Sequence, residues 1–297
     1  MIDFKKLKLT DKDEYKKLLE DGKHGCGHTF QSLFIWGDQK GAIVDNHAVF
    51  LACFGKCFYP FPVGTGDKKA VLDKIIEDAK ERGIPCLLTG LIDDDVEILN
   101  TLYPDKFIIK ETRGSWDYVY KISDLKDLPG KKYHKKRNHL NNFYKEYDGY
   151  TVHEISSQDI KNLKAFAFRW FKEKQEVSSE DYSLEKDALF RAFNNYDALC
   201  FEGIYIEFNG EIIAFTVASQ KTEDMFDVHF EKALKEHQKA YPAINNEFAK
   251  YLSAKYPDVQ FLNREEDMGI EGLRKAKESY YPDHMVKRNI AIYKENV

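Results

Sequence analysis

The chain has 297 residues, of which 43% are apolar and 14% aromatic, and a formal net charge of −5. That length and apolar content suggest two domains with a core each, and only 8 Pro and 17 Gly exclude a largely disordered or fibrous chain. The acidic balance excludes a protein that coats nucleic acid with its whole surface, so any polyanion must meet a local basic patch.

Met1 to Lys6 carries no apolar core of signal-peptide length. The longest apolar run, Ala48 to Phe54, falls far short of the roughly 20 residues of a membrane helix. Five cysteines without framework spacing point to reduced thiols and a cytoplasmic protein, with Cys53 and Cys57 packing as small hydrophobes.

In chain order, residues 11–20 and Thr29–Trp36 read as short helices, and Ala42–Val63 as a meander broken at Asp45-Asn46 and Gly55-Lys56. Asp67 caps a helix that Gly83 ends; the strand Ile84–Thr89 follows, then a helix from Asp93 to Leu102 and strands at Lys106–Lys110 and Trp116–Ile122. In the second half, Ser156 and Asp159 start a helix through Phe171, and another spans Ser183–Asn194. Asn209-Gly210 between alternating residues marks a hairpin of Gly203–Phe208 with Glu211–Ser219. A strand at Met225–Glu231, a helix at Tyr241–Tyr256, a strand at Val259–Leu262, a helix at Glu271–Tyr280 and a strand at Lys287–Tyr293 complete it. Both halves therefore run two helices, a meander, helix, strand, helix, strand. That is the element order of the GNAT fold, so the expected class is α/β (α+β): two tandem GNAT-like mixed sheets flanked by helices and joined by a basic helix. The expected domains are 1–128, a linker helix at 129–149, and a catalytic domain at 150–297.

The linker opens at Pro129-Gly130 and carries Lys132, Lys135, Lys136 and His139 on one helical face, with Arg137 on the apolar stripe of Tyr133 and Leu140. It reads either as a bridge with a solvated basic face or as a contact for phosphate or tRNA. Three stretches resemble the catalytic domain of bacterial phosphatidylglycerol lysyltransferases and their Fem-type relatives, which use aminoacyl-tRNA. They are the basic helix Lys131–Phe143, the strand pair Gly210–Ser219 with Asp227–Ala233, and the block Asn263–Pro282, a polar turn followed by Gly272-Leu273, Lys277, Tyr280 and Pro282. The resemblance implies transfer of an acyl or aminoacyl group from aminoacyl-tRNA to an amine or hydroxyl of a small molecule, peptide or lipid headgroup. The alternatives are a coenzyme A-dependent N-acyltransferase and a non-catalytic binding protein on the same fold. The segment Leu234–Ala243 lacks the glycines that let a backbone approach the pyrophosphate of acetyl- or acyl-CoA, which disfavours the first of these.

Period-two alternation puts Asp227, His229 and Glu231 on one strand face, with His229 or Glu231 as general base and the flanking carboxylates raising the His229 pKa. The turn Asn263, Arg264, Glu265, Glu266, Asp267 follows a strand and would hold substrate, walling one cleft with that strand face. Read otherwise, both are polar surfaces satisfied locally. Lys277 reaches a phosphate or is solvated. His24-Gly25-Cys26-Gly27-His28 reads as a glycine-rich loop, and no metal site is expected.

Overall fold

The computed structural model describes residues 1–19, 22–37, 39–175 and 182–294. The chain divides into two compact units. The first is Met1–Asp117 with Glu266–Arg274 and Met285–Val297; the second is Tyr118–Glu265 with Lys275–His284. The chain thus divides at 117/118 rather than at residues 128 and 149, and segments from the C-terminal part complete the first unit.

Strands run β1 (Lys5–Lys6), β2 (Gln39–Val44), β3 (His47–Phe54), β4 (Lys56–Pro60), β5 (Val63–Gly64), β6 (Leu87–Leu91), β7 (Phe107–Glu111), β8 (Asp117–Lys121), β9 (Thr151–Glu154), β10 (Phe201–Phe208), β11 (Glu211–Thr222), β12 (Met225–Ala233), β13 (Phe261–Asn263), β14 (His284–Val286) and β15 (Asn289–Tyr293). Helices run α1 (Lys12–Leu19), α2 (Phe30–Ile35), α3 (Lys68–Arg82), α4 (Asp93–Leu102), α5 (Ile122–Asp127), α6 (His134–Glu146), α7 (Ile160–Gln175), α8 (Ser183–Asn194), α9 (Ala240–Lys255) and α10 (Glu271–Glu278). The expected first helix ends at residue 20, which lies outside the described residues. Helix α5 is absent from the sequence reading. None of the described helices is long and apolar enough to cross a membrane.

The first sheet has the order β1-β2-β3-β4-β6-β15-β7, with β5 on β3, and the second the order β14-β8-β13-β12-β11-β10-β9. Both mix parallel and antiparallel pairs: β4 runs parallel to β6, and β12 to β13. Strand β15, the last of the chain, lies between β6 and β7 in the first sheet. Strand β8, the last of the first half, pairs with β13 in the second.

Local signals behave as their chemistry requires. Asp67 caps α3 by accepting from the Lys69 and Ala70 amides, and Gly83 closes it at φ 68°. Val71, Leu72 and Ile75 of α3 pack with Val49, Tyr59 and Leu88 as the first core. Asn209 and Gly210 both take positive φ (52° and 78°), the geometry of the tight β10–β11 turn. In the second unit, α7 and α8 cover one face of the sheet, where Phe166 and Phe193 meet Phe215. The C-cap of α9, Tyr256, meets Phe226 on the other face.

One expectation fails outright. Cys53 and Cys57 form a disulfide rather than packing as reduced thiols. Gly55 turns the chain at φ 71° between β3 and β4, which sets the two residues directly opposite one another. Their spacing in sequence hides this cross-strand pairing.

Candidate active site

Strand β12 decides the geometry of the second unit. Val217 of β11 pairs with Phe230 and Ala218 with Val228, so His229 is an extra residue, a β-bulge. The alternation read from sequence breaks there. Asp227 pairs with Ser219 and Glu231 with Thr216. Ser219 and Thr216 are three apart on β11 and face opposite sides, so Glu231 leaves the face of Asp227 and His229. The turn after β13 divides in the same way: Glu265 reaches His229 while Arg264 reaches Glu231. The predicted triad and turn therefore form two clusters, one on each side of the sheet, and not the walls of one cleft.

The first cluster is a hydrogen-bonded chain. Ser219 Oγ lies 2.7 Å from His229 Nε2, and His229 Nδ1 lies 3.0 Å from Glu265 Oε1. Phe201 packs edge-on against the imidazole, whose side chain has no exposure. Burial lowers the His229 pKa to about 4, although Asp227 pulls the other way. This overturns the expected rise: desolvation outweighs the neighbouring charge. Burial between Ser219 and Glu265 thus favours the neutral ring. Glu265 itself sits at φ 57°, with its amide donating to Asn263 Oδ1 at 2.8 Å. Lys277, expected at a phosphate or in solvent, donates instead to the carbonyls of Arg264 and Glu265. Three side chains thus lock the turn that aims Arg264.

A titration checks this assignment. The ring-proton resonances of His229 should give a midpoint near 4, not the ordinary ~6.5. Because the folded pKa is depressed, this group's contribution to stability is intact above about pH 6.5 and is lost as pH falls toward 4.

The second cluster surrounds Glu231. Arg264 donates to its Oε1 at 2.7 Å and Asn245 of α9 to its Oε2 at 3.3 Å. The guanidinium lies 5.2 Å from the Tyr280 ring centre and 5.8 Å from that of Tyr120. Lys136 of α6 places its ammonium 3.6 Å from the Tyr280 ring centre. Burial, with Arg264 adding to it, lowers the Lys136 pKa to about 8; Glu231 opposes the shift. Around this carboxylate, Thr216 Oγ1, Asn245 Oδ1 and Arg264 Nη1 are buried without a hydrogen-bond partner. Buried polar atoms are almost always paired, so three orphans at one place single this cluster out as the candidate ligand site.

The basic helix does not present all of its cations to solvent. Lys136 turns onto Tyr280, and Arg137 caps the preceding segment by donating to the Leu128 and Gly130 carbonyls. Lys132 lies over the Tyr133 and Tyr281 rings and 3.6 Å from Asp124, while Lys135 is exposed. The apolar stripe that holds Arg137 is what spends it.

Glu266 and Asp267 belong to the first unit. Asp267 is fully buried between Arg113 (3.2 Å) and Arg274 (2.8 Å) and accepts the Gly269 amide, so it builds the loop rather than binding substrate. Glu266 joins Cys26, Asp117 and Arg288. Within the glycine loop, His24 pairs with Asp95 and His28 with the Phe61 carbonyl. A Cβ at Gly25 would stand 2.7 Å from Asp117 Oδ2, which is why glycine is needed there.

Thr216, Asn245, Tyr120 and Tyr280 were not assigned to a site from sequence. The available signal was a polar residue in an apolar run: Thr216 between Phe215 and Val217, and Asn245 beside Ile244.

Comparison with known proteins agrees with this architecture. Residues 21–292 match the family model described as phosphatidylglycerol lysyltransferase, C-terminal. A conserved protein of unknown function from Bacteroides thetaiotaomicron is 36% identical, with a TM-score of 0.91 over 99% of this chain and 100% of that one. L-PGS from Bacillus licheniformis shares 16% identity at a TM-score of 0.66 over 95% of this chain and 91% of its own. A tandem GNAT protein from the clavulanic acid biosynthesis pathway shares the fold at 9% identity, with a TM-score of 0.53 over 98% of both chains. An uncharacterised protein of Mycoplasmoides gallisepticum is 27% identical over 205 residues. The match spans 68% of this chain and 62% of the length of that curated relative. The fold is a tandem GNAT fold.

Proposed function

The chain belongs to the phosphatidylglycerol lysyltransferase C-terminal family, and from that premise we propose that it transfers an aminoacyl group from aminoacyl-tRNA to an amine or hydroxyl acceptor. The observation that carries the reading is the set of unspent polar atoms around Glu231, beside a lysine whose pKa lies near 8. In this reaction the acceptor's lone pair attacks the ester carbonyl, a tetrahedral oxyanion forms, and the ribose oxygen leaves with a proton. Neutral Lys136 takes the acceptor's proton and returns one to the leaving oxygen. Arg264 Nη1 donates to the developing oxyanion. Asn245 Oδ1 and Thr216 Oγ1 accept from an amine, and Glu231 holds Arg264 in place. The acceptor is a small molecule, peptide or lipid headgroup, and tRNA meets the exposed part of the basic helix, Lys131 and Lys135. We place the reaction in the cytoplasm, where aminoacyl-tRNA is made.

The coenzyme A-dependent reading is weaker for a structural reason. In the segment that would cradle a pyrophosphate, the Lys235 amide donates to Glu173 at 3.1 Å and Lys239 pairs with Glu146. Those groups are already spent within the protein.

Mixing the protein with tRNA charged with radiolabelled lysine, and separately with labelled acetyl-coenzyme A, tests the proposal against amines, peptides and phosphatidylglycerol vesicles. Label should move from the tRNA to one acceptor class. Label moving only from acetyl-coenzyme A, or from neither donor, overturns it.

A further inference from the structure

The disulfide between Cys53 and Cys57 has no part in the chemistry proposed above. It crosses the end of the β3–β4 hairpin in the first unit, where Cys53 pairs directly with Cys57 and Phe54 with Lys56. Only Phe54, Gly55 and Lys56 lie between the two cysteines, and the Gly55 turn and the backbone ladder already hold the strands together there. A disulfide stabilises mainly by restricting the unfolded chain, and the effect shrinks with the loop that it closes. This bond therefore contributes little to holding the unit together.

Its two ends differ in surroundings. Cys57 is half-buried and packs against the first core, which includes Leu51 and Tyr59. Cys53 is exposed, as are Phe54, Gly55 and Lys56 beyond it. A thiolate arriving from solvent thus meets Cys53 Sγ first. Cys26 and Cys86 are the contrast: both are buried, and burial pushes the Cys86 thiol up to about 12, which leaves it inert.

In the cytoplasm, where the transfer reaction is placed, protein disulfides are transient and serve catalysis or redox sensing. An exposed bond that carries little of the fold can be reduced without unfolding the chain. We propose that Cys53 and Cys57 form a reversible thiol–disulfide exchange site, opened by a dithiol and closed again by a disulfide. In the opening step a thiolate of the dithiol attacks Cys53 Sγ. The Cys53–Cys57 bond breaks, and Cys57 leaves as a thiolate that takes a proton. The second thiol of the reductant then attacks its own sulfur in the mixed disulfide, which releases Cys53 and closes the reductant's disulfide. Two electrons and two protons pass from the dithiol to the protein.

Alkylation of the native full chain with iodoacetamide, mapped by peptide mass spectrometry, tests this with neither donor nor acceptor of the transfer reaction present. Its failure and that of the transfer reading are therefore separate. Before reduction, Cys200 alone should be labelled. After dithiothreitol, Cys53 and Cys57 should join it, while buried Cys26 and Cys86 stay unlabelled and report an intact fold. Oxidised glutathione should restore the first pattern. Cys53 in the Cys57→Ser variant should form a mixed disulfide with oxidised glutathione at least about tenfold faster than Cys57 does in Cys53→Ser. Replacing both cysteines by serine should lower the Tm by no more than about 4 °C. A bond that opens only when Cys26 and Cys86 also become labelled, thiols that oxidised glutathione fails to pair, equal trapping at the two cysteines, or a larger loss of Tm would overturn the proposal.

Discussion

Replacing Lys136 by Met should lower transfer by about 100-fold or more while leaving the fold intact, the scale expected when a general acid–base group is lost. The wild-type rate should rise with pH through about 8, because the reactive form of Lys136 is the neutral amine and its pKa is lowered to that value. The sign follows from the cause. Burial beside Tyr280 and the positive charge of Arg264 both disfavour the ammonium, and Glu231 only partly restores it. Lys136→Arg keeps the charge but cannot lose its proton in this range, so it should be as inactive as Lys136→Met. The exposed neighbour Lys135 separates this from a loss of tRNA affinity. Lys135→Met should raise the KM for charged tRNA, most visibly at low salt, with little change in kcat. If Lys136→Met turns over normally, or the rate shows no inflection between pH 7 and about 9, Lys136 is not the base.

Much of this arrangement could be read from the sequence, and the part that could not has a physical explanation. The Asn209-Gly210 hairpin, the Asp67 cap and the Gly83 stop are local devices, in which a residue's own conformational preference determines the outcome. Charge in a patterned context marks Glu231 as a candidate base, Arg264 as a candidate substrate contact and Lys136 as a candidate phosphate or polyanion contact, but does not assign Lys136 to the chemistry. The partition between the two faces was not visible. It depends on one extra residue at His229, and a bulge is a property of the pair of strands, not of β12 alone. The direction of the His229 shift is hidden in the sequence, which shows the carboxylates nearby but not the loss of solvent. The Cys53–Cys57 bond and the places of β8 and β15 in their sheets are likewise pairings between segments, on which local propensity is silent.

The largest effect on stability should come from Asp78, a carboxylate in the first unit remote from any proposed chemistry. It is 1% exposed and accepts from the Ile2 amide at 2.6 Å, the Tyr59 hydroxyl at 2.8 Å and Arg82 Nε at 2.7 Å. Burial alone would raise its pKa. The Arg82 bond, followed by those from Ile2 and Tyr59, outweighs that and holds it below the ordinary carboxylate range. Asp78→Asn preserves the shape but puts an amide where up to three donors converge, leaving at least one buried donor unmet and Arg82 without its counter-charge. A loss of roughly 3–5 kcal/mol is expected, as for other buried pairs broken on one side. The exposed Asp73, paired with Lys69 on the same helix, provides the contrast, and Asp73→Asn should cost under about 1 kcal/mol. The pH dependence has a fixed sign. Since the folded pKa is depressed, the stabilisation by Asp78 is complete above the unfolded value near 4 and is lost as pH falls through the lower folded value. Urea unfolding should therefore show the gap between wild type and Asp78→Asn closing as pH drops below about 4. A gap that stays constant down to pH 2 would mean that the carboxylate's charge contributes nothing and that the variant acts through packing alone.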